Sequence, residues 1–416
     1  MPIIEIGSRL SPNFNEDVIT GPVTRQKRTL ATCCAAHTVH DGLSDVTYVL
    51  LPLLAQTFGL SLVQVGLIRS AHRVAMASFQ IPAGLIAERF GERNLFALGT
   101  LIAGLAFVAL GYAPGFWAIL MALFFAGFGG AVQHPLASTI ISHAYPDDGR
   151  RAALGTYNFF GDVGKFIFGG IVSLLLVAGI SWQAPVTGFG LLGIATAVAI
   201  FLTVANTHAA KPAAAGAVPA PKTRGWGIRN PQGFTALCLI EILDSSTRTG
   251  FLTFIAFVLI AKGMPDGWAV LSVPLVLVGG MAGKLACGFL AERFGVVRMI
   301  IITEVATGCG ILGTLALPGA TSFLLLPLIG VVLQGTSSVL YATVGEFVEP
   351  DRLPRAFGFF YTLGSLCGIA APLGYGLIGD LYGIETSIGI IGVAIFLTVP
   401  LAALLKPAGA SRLRSA

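Results

Sequence analysis

The chain has 416 residues, of which 55% are hydrophobic and only 11% carry a charge. A soluble domain typically has about 25% charged residues, so this composition excludes a large soluble protein and predicts an all-α membrane protein. We interpret the net charge of +5 as a signal of membrane orientation, and we expect no nucleic-acid partner.

Twelve apolar segments, each long enough to span a bilayer with about 20 residues, follow one another along the chain. We number them 1 to 12, near residues 29–55, 62–87, 94–112, 115–143, 152–179, 184–206, 233–261, 268–291, 299–317, 321–346, 355–379 and 384–405. Polar residues 1–28 and 406–416 predict cytoplasmic tails. The Ala/Pro-rich stretch 207–232 predicts a flexible cytoplasmic linker between two six-helix bundles, residues 29–206 and 233–405.

The Lys and Arg residues are distributed very unevenly between the predicted loops. Nineteen of the 25 fall on the side of the tails and the linker, whereas Lys262 stands alone on the opposite side and five lie within the segments. By the positive-inside rule this asymmetry places both termini in the cytoplasm. We therefore predict a multi-pass protein of the cell inner membrane.

An internal repeat supports the division into two bundles. The sequence from Gly84 to Gly91, GLIAERFG, recurs from Gly288 to Gly295 as GFLAERFG, in each half directly after the second segment. Such duplication is typical of transporter bundles. A charged turn there can simply end a helix, or it can latch the two halves by holding Arg or a helix N-terminus. The candidate latch residues are Gly84, Glu88, Arg89, Gly91, Arg93, Gly288, Glu292, Arg293 and Gly295.

The first copy of this repeat resembles the signature of the major facilitator superfamily, Gly-x-Leu-Ala-Asp-Arg-x-Gly-Arg followed by Lys or Arg. The matching positions are Gly84, Ala87, Arg89, Gly91 and Arg93, with Glu88 in place of the Asp. The resemblance implies the major facilitator fold, with twelve transmembrane helices in two pseudo-symmetric six-helix bundles. It also implies alternating access to a central cavity lined by helices 1, 4, 7 and 10.

Three stretches resemble, more narrowly, the fosmidomycin-resistance type of exporter. They are the His37-x-x-x-Asp41 spacing in segment 1, Gln64-Val65-Gly66 in segment 2, and the Gly-rich run that leads to His134-Pro135 in segment 4. That group usually has Glu where Leu136 stands here. The resemblance implies proton-driven export of a small molecule.

Segment 1 carries ionisable side chains on one helical face. His37, Asp41, Asp45 and Tyr48 follow helical spacing, and a charge at mid-bilayer is costly unless it faces water or a partner. His37 and Asp41 are predicted to share a proton, or alternatively to form a structural pair with Arg or Lys. A metal site including His40 would need more ligands than this face offers, so we predict no metal.

Segment 2 carries Arg69 and Arg73, one helical turn apart. Guanidinium groups bind carboxylate or phosphate through two parallel hydrogen bonds, so the pair is predicted either to hold an anionic substrate or to neutralise Asp41 and Asp45. In segment 4, Pro135 is expected to kink the helix. His134 then contacts substrate or bonds a freed carbonyl.

Further charged stripes occur in the remaining segments. Glu304 lies alone on segment 9, which is peripheral in the family, and is expected near a helix end. The predicted proton-coupling residues are His37, Asp41, Asp45, Glu241 and Asp244. The predicted substrate-binding residues are Tyr48, Arg69, Arg73, Gln133, His134, Asp162, Lys165, Arg248, Lys284, Gln334 and Tyr341.

These observations predict a secondary active transporter, not an enzyme. It would move a small anionic organic solute or drug as a proton-coupled exporter, without cofactors and as a monomer in the lipid bilayer. No nucleotide-binding Gly-x4-Gly-Lys-Ser/Thr loop is present, which argues against ATP as the driver. Three alternatives are an uptake symporter, an intramembrane enzyme using His37, Asp41 and His134, and a sensor that has lost transport.

Overall fold

The structure is a computed structural model that describes residues 22–145, 149–205, 227–349 and 352–405. Within these ranges the chain is helical, and the one β-type contact is an isolated antiparallel bridge between Ile228 and Val348. The predicted all-α architecture is confirmed.

In the part of the chain that the structure describes, twelve helical elements follow one another in two sets of six. The first set is α1 (Pro22–Phe58), α2 (Leu62–Phe90), α3 (Glu92–Gly111), α4 (Phe116–Gly130, continued by Gln133–Ala144), α5 (Arg150–Val177) and α6 (Gln183–Thr203). The second set is α7 (Pro231–Ala261), α8 (Asp266–Val270, continued by Ser272–Phe294), α9 (Val296–Ala316), α10 (Gly319–Phe347), α11 (Leu353–Tyr382) and α12 (Ile384–Ala402, with a short 3-10 stretch).

Ten of these helices are long and apolar enough to cross a membrane, judged by length and composition alone. α1 and α2 fall outside that set because polar and charged side chains lower their hydropathy. α1 also begins at Pro22, earlier than the predicted start at residue 29. Most of the predicted tails and of the linker lies outside the described residues.

Where the sequence predicted a kink, α4 consists of two helical pieces. The first piece ends at Gly130 and the second begins at Gln133. Pro135 has no backbone N–H to donate to the carbonyl of Ala131, and its ring crowds that carbonyl. Ala131 and Val132, between the two pieces, keep right-handed helical angles.

The two copies of the repeat adopt the same local structure. Gly91 has φ 84° and ψ 142°, and Gly295 has φ 86° and ψ 144°. This left-handed φ favours glycine because it lacks a Cβ. In both copies the guanidinium carbon of the Arg lies 5.8 Å from the centre of the next Phe ring. The repeat is therefore duplicated in local conformation as well as in sequence.

The two ends of the bundle are packed differently. We call the end that holds the α2–α3 and α8–α9 turns the linker end, and the end that holds the α1–α2 turn the closed end. One apolar cluster near the closed end draws on both halves, including Leu54 of α1 and Leu259 of α7. At the linker end each half has its own cluster, one containing Tyr157 and the other Phe347. Among the described residues, a common core thus joins the halves only near the closed end.

Two seams between the halves complete this closure. At the α2–α11 seam, the Ser70 hydroxyl donates to the Ile369 carbonyl over 2.6 Å, and Gly66 lies against the backbone of Pro372. At the α5–α8 seam, the Ser173 hydroxyl donates to the Gly267 carbonyl. Small residues are used here because they allow helix backbones to approach closely.

Candidate functional site

A cavity of about 280 Å³ lies between the two halves, directly on the linker side of these seams. Its charged lining comes from both halves: four bases and two acids, namely Arg73, Lys165, Arg248, Lys284, Asp45 and Asp162. The wall therefore carries an excess of positive charge when all six groups are ionised. Such a wall favours an anionic occupant.

Eight of the predicted substrate-binding residues line this cavity. They are Tyr48, Arg73, Asp162, Lys165, Arg248, Lys284, Gln334 and Tyr341. Tyr361, Ser365 and Gly368 of α11 also line it and were not predicted. Their i, i+4, i+7 spacing was the signal that sequence reasoning missed, because it followed charges instead of small and hydroxyl-bearing residues.

Arg69, which was predicted to bind substrate, does not line the cavity. Its side chain is fully buried, with Nη2 3.6 Å from Oδ1 of Asp45 and Nη1 donating to the Ser44 carbonyl over 3.2 Å. The guanidinium carbon also lies 3.8 Å from the centre of the Tyr48 ring. The sequence left two roles open for the arginine pair, neutralising an acid or binding an anionic substrate. The contacts of Arg69 fit neutralisation of Asp45, and the position of Arg73 in the cavity wall fits substrate binding.

Gln133 is likewise behind the cavity wall. It is buried, and its Nε2 donates to the Tyr157 hydroxyl over 3.4 Å. Its neighbour His134 is 43% exposed at the side chain but belongs to a cluster around Asp41 instead of the cavity lining. Both residues were predicted to bind substrate, whereas Gln133 contacts Tyr157 of α5 and His134 lies near Asp41 of α1.

The carboxylate of Asp41 is surrounded by four basic side chains from three helices. His37 Nε2 lies 3.3 Å from Oδ2, His40 Nδ1 3.2 Å from Oδ1, His134 Nε2 3.7 Å from Oδ1, and Lys165 Nζ 3.1 Å from Oδ2. We call these five residues the Asp41 cluster. Asp41, His37 and His40 are buried, and a buried carboxylate is tolerated when it is paired in this way.

The tautomer of His37 follows from its second contact. Nδ1 lies 2.7 Å from the carbonyl oxygen of Tyr157, and a carbonyl oxygen can only accept, so Nδ1 must carry the hydrogen. In neutral His37, Nε2 then presents a lone pair to the Asp41 carboxylate at 3.3 Å. Two acceptors facing each other repel unless a proton lies between them. The geometry is that of a proton-binding pair.

Asp162 of α5 bridges the two halves. Its carboxylate accepts from Lys165 Nζ over 3.0 Å and, with both oxygens, from Lys284 Nζ of α8 over 2.9 and 3.0 Å. Among the described residues no other ion pair joins the halves. The bridge lies in the cavity wall itself.

A second group of acids is buried inside the other half. Arg248 Nη1 lies 3.5 Å from Oδ2 of Asp244, and Glu241 and Glu304 are fully buried. Within the described ranges neither Glu carboxylate has a hydrogen-bond partner. Glu304 lies in the middle of α9, not near a helix end as we expected from sequence.

The candidate latch residues lie at the linker end. Arg89, Glu292 and Arg293 are exposed, and Arg93 bonds to Asn94 and lies 4.7 Å from the centre of the Phe201 ring. In the parts of the chain that the structure describes, these four residues make no ion pair with the opposite half. The latch stays a prediction for a state in which the linker end is closed.

One set of side chains among the described residues has the spacing of a metal site. The ligand atoms of His37, Asp41 and His134 lie within 4.8 Å of one another. The ammonium group of Lys165, 3.1 Å from Asp41, opposes a cation at that position. We therefore interpret the set as a site for protons and do not assign it to a metal.

Comparison with known proteins gives a family match along the chain. The model of the Major Facilitator Superfamily matches residues 33–372 and 266–415. The hexuronate transporter of Bacillus subtilis (strain 168) is 24% identical over 86% of this chain and 89% of its own length. The 4-hydroxybenzoate transporter PcaK of Pseudomonas aeruginosa is 23% identical over 88% of this chain and 87% of its own.

Solved structures show the same fold. A bacterial homolog of the human lysosomal transporter Spinster, in an inward-facing and unoccupied conformation, superposes with a TM-score of 0.71 at 20% identity, covering 92% of this chain and 95% of that chain. The nucleoside transporter NupG superposes with a TM-score of 0.73 at 14% identity, covering 92% of this chain and 99% of that one.

Proposed function

Because the chain belongs to the major facilitator superfamily and is a multi-pass membrane transporter, we propose that it carries a small organic anion across the membrane by alternating access, driven by protons. The family match and the transporter relatives leave no support for the intramembrane-enzyme alternative. No cofactor is needed for such a carrier, since an ion gradient supplies the energy.

The observation that carries the anion proposal is the charge of the cavity wall. Arg73 of α2 and Arg248 of α7 come from opposite halves, and both line the cavity together with Lys284. Arg73 is the one cavity base with no ion-pair partner among the described residues. A carboxylate bound between the halves would satisfy it. The hexuronate and 4-hydroxybenzoate carried by two relatives are both carboxylates.

The proton proposal rests on the pair formed by His37 and Asp41. The tautomer of His37 leaves room for one proton between Nε2 and the carboxylate, and burial removes competing water. Lys165 connects this pair to the cavity wall. Asp45, held by Arg69, and the buried Glu241 and Asp244 stay further proton-coupling candidates.

Electrostatics favour symport as the arrangement. A proton added to the Asp41 cluster places positive charge beside a cavity that already favours anions, so proton and anion strengthen each other's binding. The exporter predicted from sequence is the second candidate, supported by the resemblance of segments 1, 2 and 4 to fosmidomycin-type exporters. Proton-coupled export would require that binding of the proton and binding of the solute exclude each other.

The orientation follows from the distribution of basic residues. If the linker end, with its Lys and Arg excess, faces the cytoplasm of the inner membrane, the closed end faces outward and the cavity is accessible from inside.

Uptake into proteoliposomes under an imposed pH gradient tests the anion proposal. We would use radiolabelled D-glucuronate and 4-hydroxybenzoate as probes, and compare wild type with Lys284→Gln and with Arg298→Gln, a control at an exposed base outside the cavity. We expect saturable uptake of at least one probe that Lys284→Gln weakens and Arg298→Gln leaves unchanged. Uptake of the neutral nucleoside uridine in preference to both carboxylates would overturn the anion assignment.

A further inference from the structure

Four charged side chains form a row that alternates in sign and crosses from one half to the other. Asp41 Oδ2 lies 3.1 Å from Lys165 Nζ, which lies 3.0 Å from Asp162 Oδ1, which lies 2.9 Å from Lys284 Nζ. The first three belong to α1 and α5, and Lys284 belongs to α8. The row begins at the proposed proton site and ends in the wall of the cavity.

Each inner member of this row is shared by two partners. Lys165 divides its charge between Asp41 and Asp162, and Asp162 divides its charge between Lys165 and Lys284. With all four groups ionised the row is neutral. A change at one end therefore alters the strength of the contact at the other end.

We infer that Lys165 and Asp162 are a relay that couples the proton site to the anion site by releasing Lys284 when a proton binds. This inference rests on the proposed function. A proton taken up between His37 and Asp41 cancels the attraction of Asp41 for Lys165. Lys165 then pairs fully with Asp162, and Asp162 holds Lys284 less strongly.

The released lysine is placed to receive substrate. Its side chain is 36% exposed, on the wall that also presents Arg73 and Arg248. Before protonation the Asp162 carboxylate acts as an internal anion on Lys284, so a substrate carboxylate must compete with it. After protonation that competition weakens.

The groups that face Asp41 determine where the relay senses pH. They come from α1, α4 and α5, and are His37, His40, His134 and Lys165. Tyr157 is hydrogen-bonded to His37 only through its backbone carbonyl, although its ring stacks on the imidazole. Three histidines and one lysine therefore surround this one carboxylate.

Two variants at the centre of the row should act in opposite directions. Asp162→Asn removes the internal anion, so Lys284 is free at every pH, and anion affinity at neutral pH should rise to the value wild type reaches in acid. Lys165→Gln cuts the relay but keeps the Asp162–Lys284 bond, so affinity should stay low at every pH. Wild type should change between the two levels by about 5- to 150-fold, the usual range of coupling between sites.

The experiment is equilibrium binding of D-glucuronate and 4-hydroxybenzoate to purified protein at acid and neutral pH, with exposed Glu385→Gln as the matched acid control. If wild type is pH-dependent but Asp162→Asn keeps the full dependence, the relay is wrong while the proposed function stands. If wild-type affinity does not depend on pH, proton coupling itself fails and the relay fails with it.

A second measurement needs no substrate. At one fixed pH, the rate at which an amine-reactive reagent modifies Lys284, followed by peptide mass spectrometry, should rise several-fold in Asp162→Asn and fall in Lys165→Gln. Equal rates in wild type and both variants would contradict the relay whichever solute the protein carries.

Discussion

Asp380, near the end of α11, accepts a 2.7 Å hydrogen bond from the backbone N–H of Leu62, the first residue of α2 in the opposite half. Its other carboxylate oxygen accepts from Val63 over 2.9 Å. The carboxylate therefore caps a helix N-terminus across the two halves, where backbone donors and the helix dipole both favour negative charge. Opening the closed end must break this cap.

Asp380→Ala should shift the protein away from the state that is sealed at the closed end. Loss of a helix cap costs about 1 kcal/mol, which corresponds to about a fivefold change in the ratio of two states. We would measure the distance distribution between spin labels at the exposed Tyr112 and Tyr382, one in each half. Asp380→Asn, which keeps one acceptor, should shift less. An unchanged distribution in Asp380→Ala would show that the cap does not hold the seam.

Gly66→Ala should weaken the same seam by a steric route. A Cβ at Gly66 would lie 2.5 Å from the carbonyl oxygen of Pro372, and backbone cannot move aside as a side chain can. Gly374→Ala on α11 is the matched control, since a Cβ there meets nothing within 4 Å and Ala is about 1 kcal/mol better than Gly in a helix. We expect a lower melting temperature for Gly66→Ala and an unchanged or higher one for Gly374→Ala. Equal melting temperatures would contradict the close approach.

His37→Gln should separate proton coupling from solute exchange. Gln can still donate to the Tyr157 carbonyl but cannot take up a proton between itself and Asp41. Proton-driven accumulation of solute should be lost while solute-for-solute counterflow persists. His143→Gln, at a histidine outside the cavity that pairs with Glu92 over 3.4 Å, should retain both activities. Retained accumulation in His37→Gln would remove His37 from the proton site.

The two arginines of α2 should respond differently to the same substitution. Arg73→Gln should raise the apparent KM for the transported anion about tenfold or more, the effect of losing a hydrogen bond to a charged group. Arg69→Gln should instead destabilise the fold by about 3–5 kcal/mol, because it removes a fully buried guanidinium and leaves Asp45, which is 13% exposed at the side chain, without its partner. Transport kinetics and thermal unfolding distinguish the two effects. A KM change without destabilisation in Arg69→Gln would place that residue in the anion site after all.

This contrast shows what sequence could and could not predict. The spacing of Arg69 and Arg73 placed both on one helical face, but helical spacing does not give depth, and four residues along α2 separate a buried ion pair from a cavity wall. The repeat at Gly91 and Gly295 predicted the duplicated fold because a left-handed turn restricts the choice of residue. Such local constraints are visible in sequence.

Contacts between distant segments were not predictable in the same way. Sequence predicted Asp162 and Lys284 as substrate-binding residues without identifying them as partners of each other, whereas the structure brings them together as a bridge. The position of Glu304 in the sequence did not indicate a partner for it. Its burial in the middle of α9 depends on how that helix packs in the second half. The residue pattern of a single sequence shows which face of a helix is polar, but it does not show which side chains from other helices contact that face.

The most direct test of the account is solute-driven proton movement in proteoliposomes that contain a pH-sensitive dye. A gradient of the anion that the protein transports should move protons in wild type, and Asp41→Asn should abolish this movement while counterflow continues. Protons moving in the same direction as the anion would establish symport, and the opposite direction would establish the exporter mechanism. Anion movement without any proton movement in wild type would contradict the central claim and leave Asp41 as a structural ion-pair partner of Lys165.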